Sequence, residues 1–138
     1  MDFKLELVVV PVSDVDRAKA FYEKAGFTLD VDHHAGDTFR VVQLTPPGSA
    51  CSITIGTGVS QVAPGTYQGL HLVVTDIVAA RAWLVERGVD ATEPFHFGPE
   101  GQTPGLSPGR GNYETFVSLS DPDGNGWLIQ EVGYKTPG

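Results

Sequence analysis

The sequence predicts an α+β fold in which one β-α-β-β-β unit occurs twice in tandem, and three observations predict it. Residues 9–26 recur at 71–88 with a constant displacement of 62. A Pro/Gly turn feeding a strand closes each copy, at 45–53 and again at 121–129. A segment rich in Gly and Pro accounts for the greater length of the second copy. In the first match Asp14 falls on Asp76, Ala18 on Ala80, Ala20 on Ala82 and Gly26 on Gly88.

Each element can be justified in order. The β-branched run Leu7 to Val12 has the length and composition of a strand. Ser13 is a good N-cap, and Asp14 follows where the helix dipole favours negative charge. Val15, Ala18, Tyr22 and Ala25 then recur at helical spacing, and Gly26 stands where a helix ends in a left-handed residue. Strands are predicted at Phe27 to His33 and Thr38 to Leu44, before the turn from Thr45 to Ser49 and a closing strand through Ile53.

The second copy repeats the device. His71 to Val74 is the strand, Thr75 the cap, and Ile77, Ala80, Trp83, Leu84 and Val85 give a broad apolar helix face ending at Gly88. Strands are predicted at Asp90 to Phe95 and Tyr113 to Ser120, then the turn Asp121 to Asn125 and the run Trp127 to Gln130. The closing turns match at a displacement of 76, which leaves 14 extra residues between Gly88 and Asp121. Segment 97–112 is accordingly read as a long loop, functional or disordered. The reading is a single domain over residues 1–138, with repeats at about 4–57 and 68–133. Two curved mixed sheets with helices outside would leave a cleft lined by inward-facing residues.

Composition narrows the function classes. The chain has 138 residues, 41% of them apolar, enough for a core without disulfides, and Cys51 is its one cysteine. A net charge of −8 argues against nucleic acid, which needs clustered Lys and Arg. No apolar run reaches membrane length, and residues 1–4 lack the layout of a signal peptide, so a soluble cytoplasmic protein with no membrane partner is expected.

The duplicated unit, carried by Val12-Ser13-Asp14, Ala18, Phe21-Tyr22, Gly26-Phe27 and the turn Asp121-Pro122-Asp123-Gly124-Asn125, resembles the vicinal oxygen chelate superfamily. This group contains glyoxalase I, bleomycin-resistance proteins and extradiol dioxygenases. The resemblance implies a glyoxalase-like fold, often dimeric, so a homodimer is expected. In the enzymes of the group a divalent metal is held by His, Gln or Glu on the first and last strands of each unit. The positions that the resemblance assigns to those ligands are Leu7 and Ser52 in the first copy and Gly69 and Leu128 in the second. None is a strong donor.

Two readings follow. In the first, the protein binds a small organic molecule in the cleft without a cofactor, by sequestration or by acid–base chemistry, with His71 and Glu131 as the catalytic candidates. In the second it is a lyase, isomerase or dioxygenase that uses one divalent metal (Mn, Fe, Ni or Zn) at a displaced site around His71 and Glu131. His71 lies two places after Gly69 and so shares its face, whereas Glu131 differs from Leu128 by an odd number. Glu131 is either an exposed strand-end acid or, if buried beside His71, half of an acid–base pair. Leu7, Val9, Arg40, His96, Tyr113 and Trp127 are the candidate ligand contacts, with Arg40 binding a carboxylate or carbonyl if it points inward. His33 and His34 are neighbours on a strand and point to opposite faces.

Overall fold

The computed structural model describes residues 1–137 and divides them into two compact units. The first comprises Met1–Tyr67 together with Asp121–Asn125, and the second Gln68–Ser120 together with Gly126 onward.

In the first unit β1 (Leu7–Val9) is followed by α1 (Val15–Lys24), β2 (Thr28–His34), β3 (Arg40–Thr45) and β4 (Ser52–Thr57). The sheet order is β1-β4-β3-β2, with β1 and β4 parallel and the other pairs antiparallel. The first strand is shorter than the predicted Leu7 to Val12, because Pro11 has no N–H to give a ladder. Strand alternation turns Val10, Val42, Leu44, Ile53 and Ile55 towards α1, where Val15, Ala18 and Tyr22 are buried with them. Leu7, Val9, Gln43, Ser52 and Thr54 occupy the opposite face, with Ser52 and Thr54 buried.

The second unit holds β5 (Leu70–Val74), α2 (Ile77–Glu86), β6 (Phe95–Gly98), β7 (Gly101–Pro104), β8 (Thr115–Ser120) and β9 (Gly126–Glu131). Their order is β5-β9-β8-β6-β7, again with first and last strands parallel. Ile77 and Leu84 pack with Val117, Leu119, Trp127 and Ile129.

Four expectations are corrected. The helix caps are Asp14 and Asp76, one residue beyond Ser13 and Thr75: their backbones are extended (φ −127° and −137°) and their carboxylates accept from Arg17 N and Ala79 N. Segment 97–112 is no structureless loop, because Phe95–Gly98 and Gly101–Pro104 pair as an antiparallel hairpin. The predicted strand Asp90 to Phe95 begins only at Phe95, and the strand predicted from Tyr113 begins at Thr115, since Tyr113 has φ 62°. Finally, the apolar face of α2 is narrower than its sequence suggests: Trp83 and Val85 are exposed, and Arg87 lies over the Trp83 ring.

The turn Asp121–Asn125 belongs to the first unit although it connects β8 to β9. Tyr22 Oη donates to Asp121 (2.8 Å), Ser13 donates to Asp123 (2.5 Å), and fully buried Asn125 donates to Pro11 O while accepting from Tyr67 N. These bonds use the residues of the turn that the sequence offers only as a connection.

Candidate functional site

The two faces of the second sheet differ sharply. On β9 every other residue, Trp127, Ile129 and Glu131, is buried, while Leu128 and Gln130 are half-buried on the other face. Cross-strand register extends that second face over the whole sheet. His71 pairs with Leu128 and Val73 with Gln130; Gln130 pairs with Phe116, and Phe116 with Phe95. Phe95 in turn pairs with Pro104, and Phe97 with Gln102. The result is one open face of apolar and aromatic side chains interrupted by His71, Gln130, Ser118 and Gln102. At its outer edge lies a depression of about 440 Å³ lined by residues of this unit, Phe95 and Ser118 among them.

His71 is exposed on this face, with Nδ1 2.5 Å from Gly69 O. A carbonyl only accepts, so Nδ1 carries the proton, and in the neutral ring Nε2 is an acceptor. Glu131 is placed differently. It is fully buried on the helix-facing side, which corrects its reading as an exposed strand-end acid. Its Oε2 accepts from Ile77 N at the start of α2 (2.8 Å), and both oxygens accept from Arg110 (3.0 and 2.6 Å). The carboxylate holds the Arg110 guanidinium above its ordinary pKa, and Arg110 also reaches Asp76 and stacks on Tyr134 at 3.4 Å. Asp76 lies below the usual carboxylate range, first through the backbone N–H of Ala79 and then through Arg110. His71 and Glu131 therefore stand on opposite faces of the sheet and form no acid–base pair: three strand positions separate His71 from Val74, the register partner of Glu131.

The remaining candidates separate in the same way. Leu7 and Val9 lie on the face of the first sheet away from α1, in register with Ser52 and Thr54. Arg40 turns to the helix side, where it pairs with Asp16 (2.7 Å) and Asp32 (2.9 Å), so it is committed within the protein. Together with Lys19 it holds the Asp32 carboxyl far below its ordinary pKa. Trp127 is 5% exposed in the core, because β-alternation places it with Ile129 beneath α2. Tyr113 is exposed in the loop before β8, with its N–H on Glu131 O. His96, half-buried, is 2.8 Å from Gly105 O through Nδ1 and holds the hairpin to the following segment. His33 and His34 point to opposite faces of β2, and His34 lies beside Asp32 at 3.7 Å.

The sequence reading missed Arg110, Phe97 and Gln130. Arg110 stands among glycines and a proline, with no periodicity to mark it. The alternation Phe95-His96-Phe97 is a strand signal that was available.

A family-type metal does not fit. Leu7 and Ser52 are direct cross-strand partners on the face of the first sheet away from α1, and Leu128 pairs with His71 on the second. Those positions offer two aliphatic chains and a hydroxyl, and Gly69 offers no side chain at all. Among the described residues no group of three His, Cys, Asp or Glu side chains is placed to hold an ion.

With this geometry in hand, comparison with known proteins gives the family. The sequence matches the Glyoxalase/Bleomycin resistance protein/Dioxygenase superfamily over residues 4–129, and the chain belongs to it. Similar solved structures include TnmS3, an antibiotic binding protein from Streptomyces sp. CB03234. It is 32% identical with a TM-score of 0.71, over 95% of this chain and 97% of that one. A glyoxalase/bleomycin resistance protein from the same Streptomyces is 33% identical with a TM-score of 0.68, over 93% and 100%. A superfamily member from Sphaerobacter thermophilus is 30% identical with a TM-score of 0.70, over 94% and 98%. No curated protein matches the sequence. No helix among the described residues is long and apolar enough to cross a membrane.

Proposed function

We propose that this protein binds a small organic molecule on the open face of the second sheet, without the superfamily's metal. The observation that carries the reading is the continuous face running from His71 through Leu128, Gln130 and Phe116 to Phe97. It combines a broad apolar area with a few spaced hydrogen-bonding groups, the usual make-up of a ligand site. The likeness to an antibiotic binding protein supports a ligand of natural-product size. Independence from metal is supported by donor chemistry: the family's ligand positions are Leu7, Ser52, Gly69 and Leu128, and the carboxylate of Glu131 is engaged by Arg110. His71 Nδ1 is engaged by the Gly69 carbonyl rather than by a carboxylate, so no acid–base partner stands behind the ring to drive proton transfer. Sequestration is therefore the better-supported mode.

A thermal-shift screen of chelator-treated protein against antibiotics and aromatic natural products tests this. A ligand present at 100 times its Kd stabilises the folded state by about 2.7 kcal/mol. The expected result is a saturable rise in Tm, insensitive to chelator and reduced in Phe116→Ala. A rise that disappears with chelator and returns with Mn, Fe, Ni or Zn would overturn the metal-free reading. A flat response across the panel would overturn ligand binding.

A further inference from the structure

We infer that the β6–β7 hairpin, which the first unit lacks, selects the ligand, and that the class it selects is a flat aromatic molecule that is neutral or positively charged. The inference rests on the proposed role of the open face and deepens it.

The hairpin changes that face in two ways. It adds a fifth strand, and it brings Phe95 and Phe97 beside Phe116 on β8. The three ring centroids lie 5.6 to 6.0 Å apart. Phe95 and Phe116 are inclined by only 31°, whereas Phe97 stands at 87° to the first and 64° to the second. Two nearly aligned rings with a third set across them make an aromatic corner. A flat ring system can stack on one part and meet the other edge-on, and both geometries are favourable for aromatic pairs. A compact aliphatic cage satisfies neither.

Phe97 is 61% exposed. Its surroundings supply the other requirements. The adjoining depression of about 440 Å³ is lined by Thr92, Glu93, Phe95, Gln102, Pro104 and Ser118. That volume falls within the usual range for small-molecule sites. Ser118 and Gln102 bring a hydroxyl and a carboxamide to the same face as the rings. The lining contains no Lys or Arg, its one ionised side chain, Glu93, is paired with Arg81 (3.3 Å), and the whole chain carries −8. With the local charge compensated, the net charge of the chain disfavours an anion at long range.

Three rigid probes separate shape from charge in calorimetric titrations at low salt: 9-aminoacridine (flat, cationic), 1-aminoadamantane (cationic, not flat) and 9-anthracenecarboxylate (flat, anionic). The expected result is one 9-aminoacridine per chain, with the other two at least about tenfold weaker. Phe97→Ala should weaken 9-aminoacridine about tenfold, equivalent to about 1.4 kcal/mol. Its exposure means the variant should keep its fold, and unchanged circular dichroism checks this. Phe97→Tyr should restore binding, whereas Val78→Ala, on the exposed side of α2 and away from the open face, should leave it within twofold. No binding of 9-aminoacridine, equal binding by Phe97→Ala, or equal binding of 1-aminoadamantane would each overturn the inference. The screen above decides the broader reading separately. A hit whose affinity ignores Phe97 keeps ligand binding and removes the hairpin's role, whereas a flat screen removes both.

Discussion

Replacing Arg110 with Ala should destabilise the second unit severely although the residue lies in an irregular segment. Arg110 makes the charged contact to Glu131, whose side chain is 0% exposed, while its own is 17% exposed. Removing one partner of a buried ion pair costs about 3–5 kcal/mol, because the remaining charge is left without compensation. Glu131 keeps its bond from Ile77 N, and the opening left by Arg110 admits water. We therefore expect the low end, about 3 kcal/mol. For a chain of this size that lowers Tm by roughly 9–15 °C. Alanine is the informative substitution because Arg110 has φ 50°, where glycine would relieve backbone strain and hide part of the loss. Arg110→Lys should recover about half the stability, since an ammonium restores charge but not the two-pronged contact. Urea melts at pH 7 measure all three proteins. A loss below about 1 kcal/mol in Arg110→Ala would refute the argument, because it would mean that Glu131 does not depend on its partner.

Two further outcomes are expected. Gly65 has φ 78° and an added Cβ would collide with Asp123 O, whereas Gly69 has φ 80° with nothing within 4 Å. Gly69→Ala should then cost only left-handed strain, about 1 kcal/mol or a little more, and Gly65→Ala clearly more in the same denaturant assay. Asp32 has a folded-state pKa depressed by Arg40 and then Lys19. Its contribution is present above the unfolded carboxylate value of about 4 and is lost as pH falls through the depressed one. Asp32 is 20% exposed, so the contribution is discounted to about 1 kcal/mol or less. Wild type should accordingly lose more stability than Asp32→Asn between pH 5 and pH 2, and equal acid slopes would count against the pairing.

Much of the fold was legible in the chain because it is written twice. The displacement of 62 aligns strand, cap and helix, and periodicity then assigns each element its type. The resemblance to the superfamily singled out Leu7, Ser52, Gly69 and Leu128, and residue identity then showed that none is a strong donor. Side-chain facing was decided by the tertiary structure. Trp127, Leu128 and Glu131 lie within five consecutive residues, yet pairing of β9 with β5 and β8 sends the first and last under α2 and the middle one to the open face. Arg110 is the clearest case. It precedes Glu131 by 21 residues in a segment without periodicity, and only the folded chain joins them. Local sequence fixes backbone preference and amphipathic period, which act over a few residues. Burial of a charge is a property of everything packed around it, so it emerges only when distant segments meet.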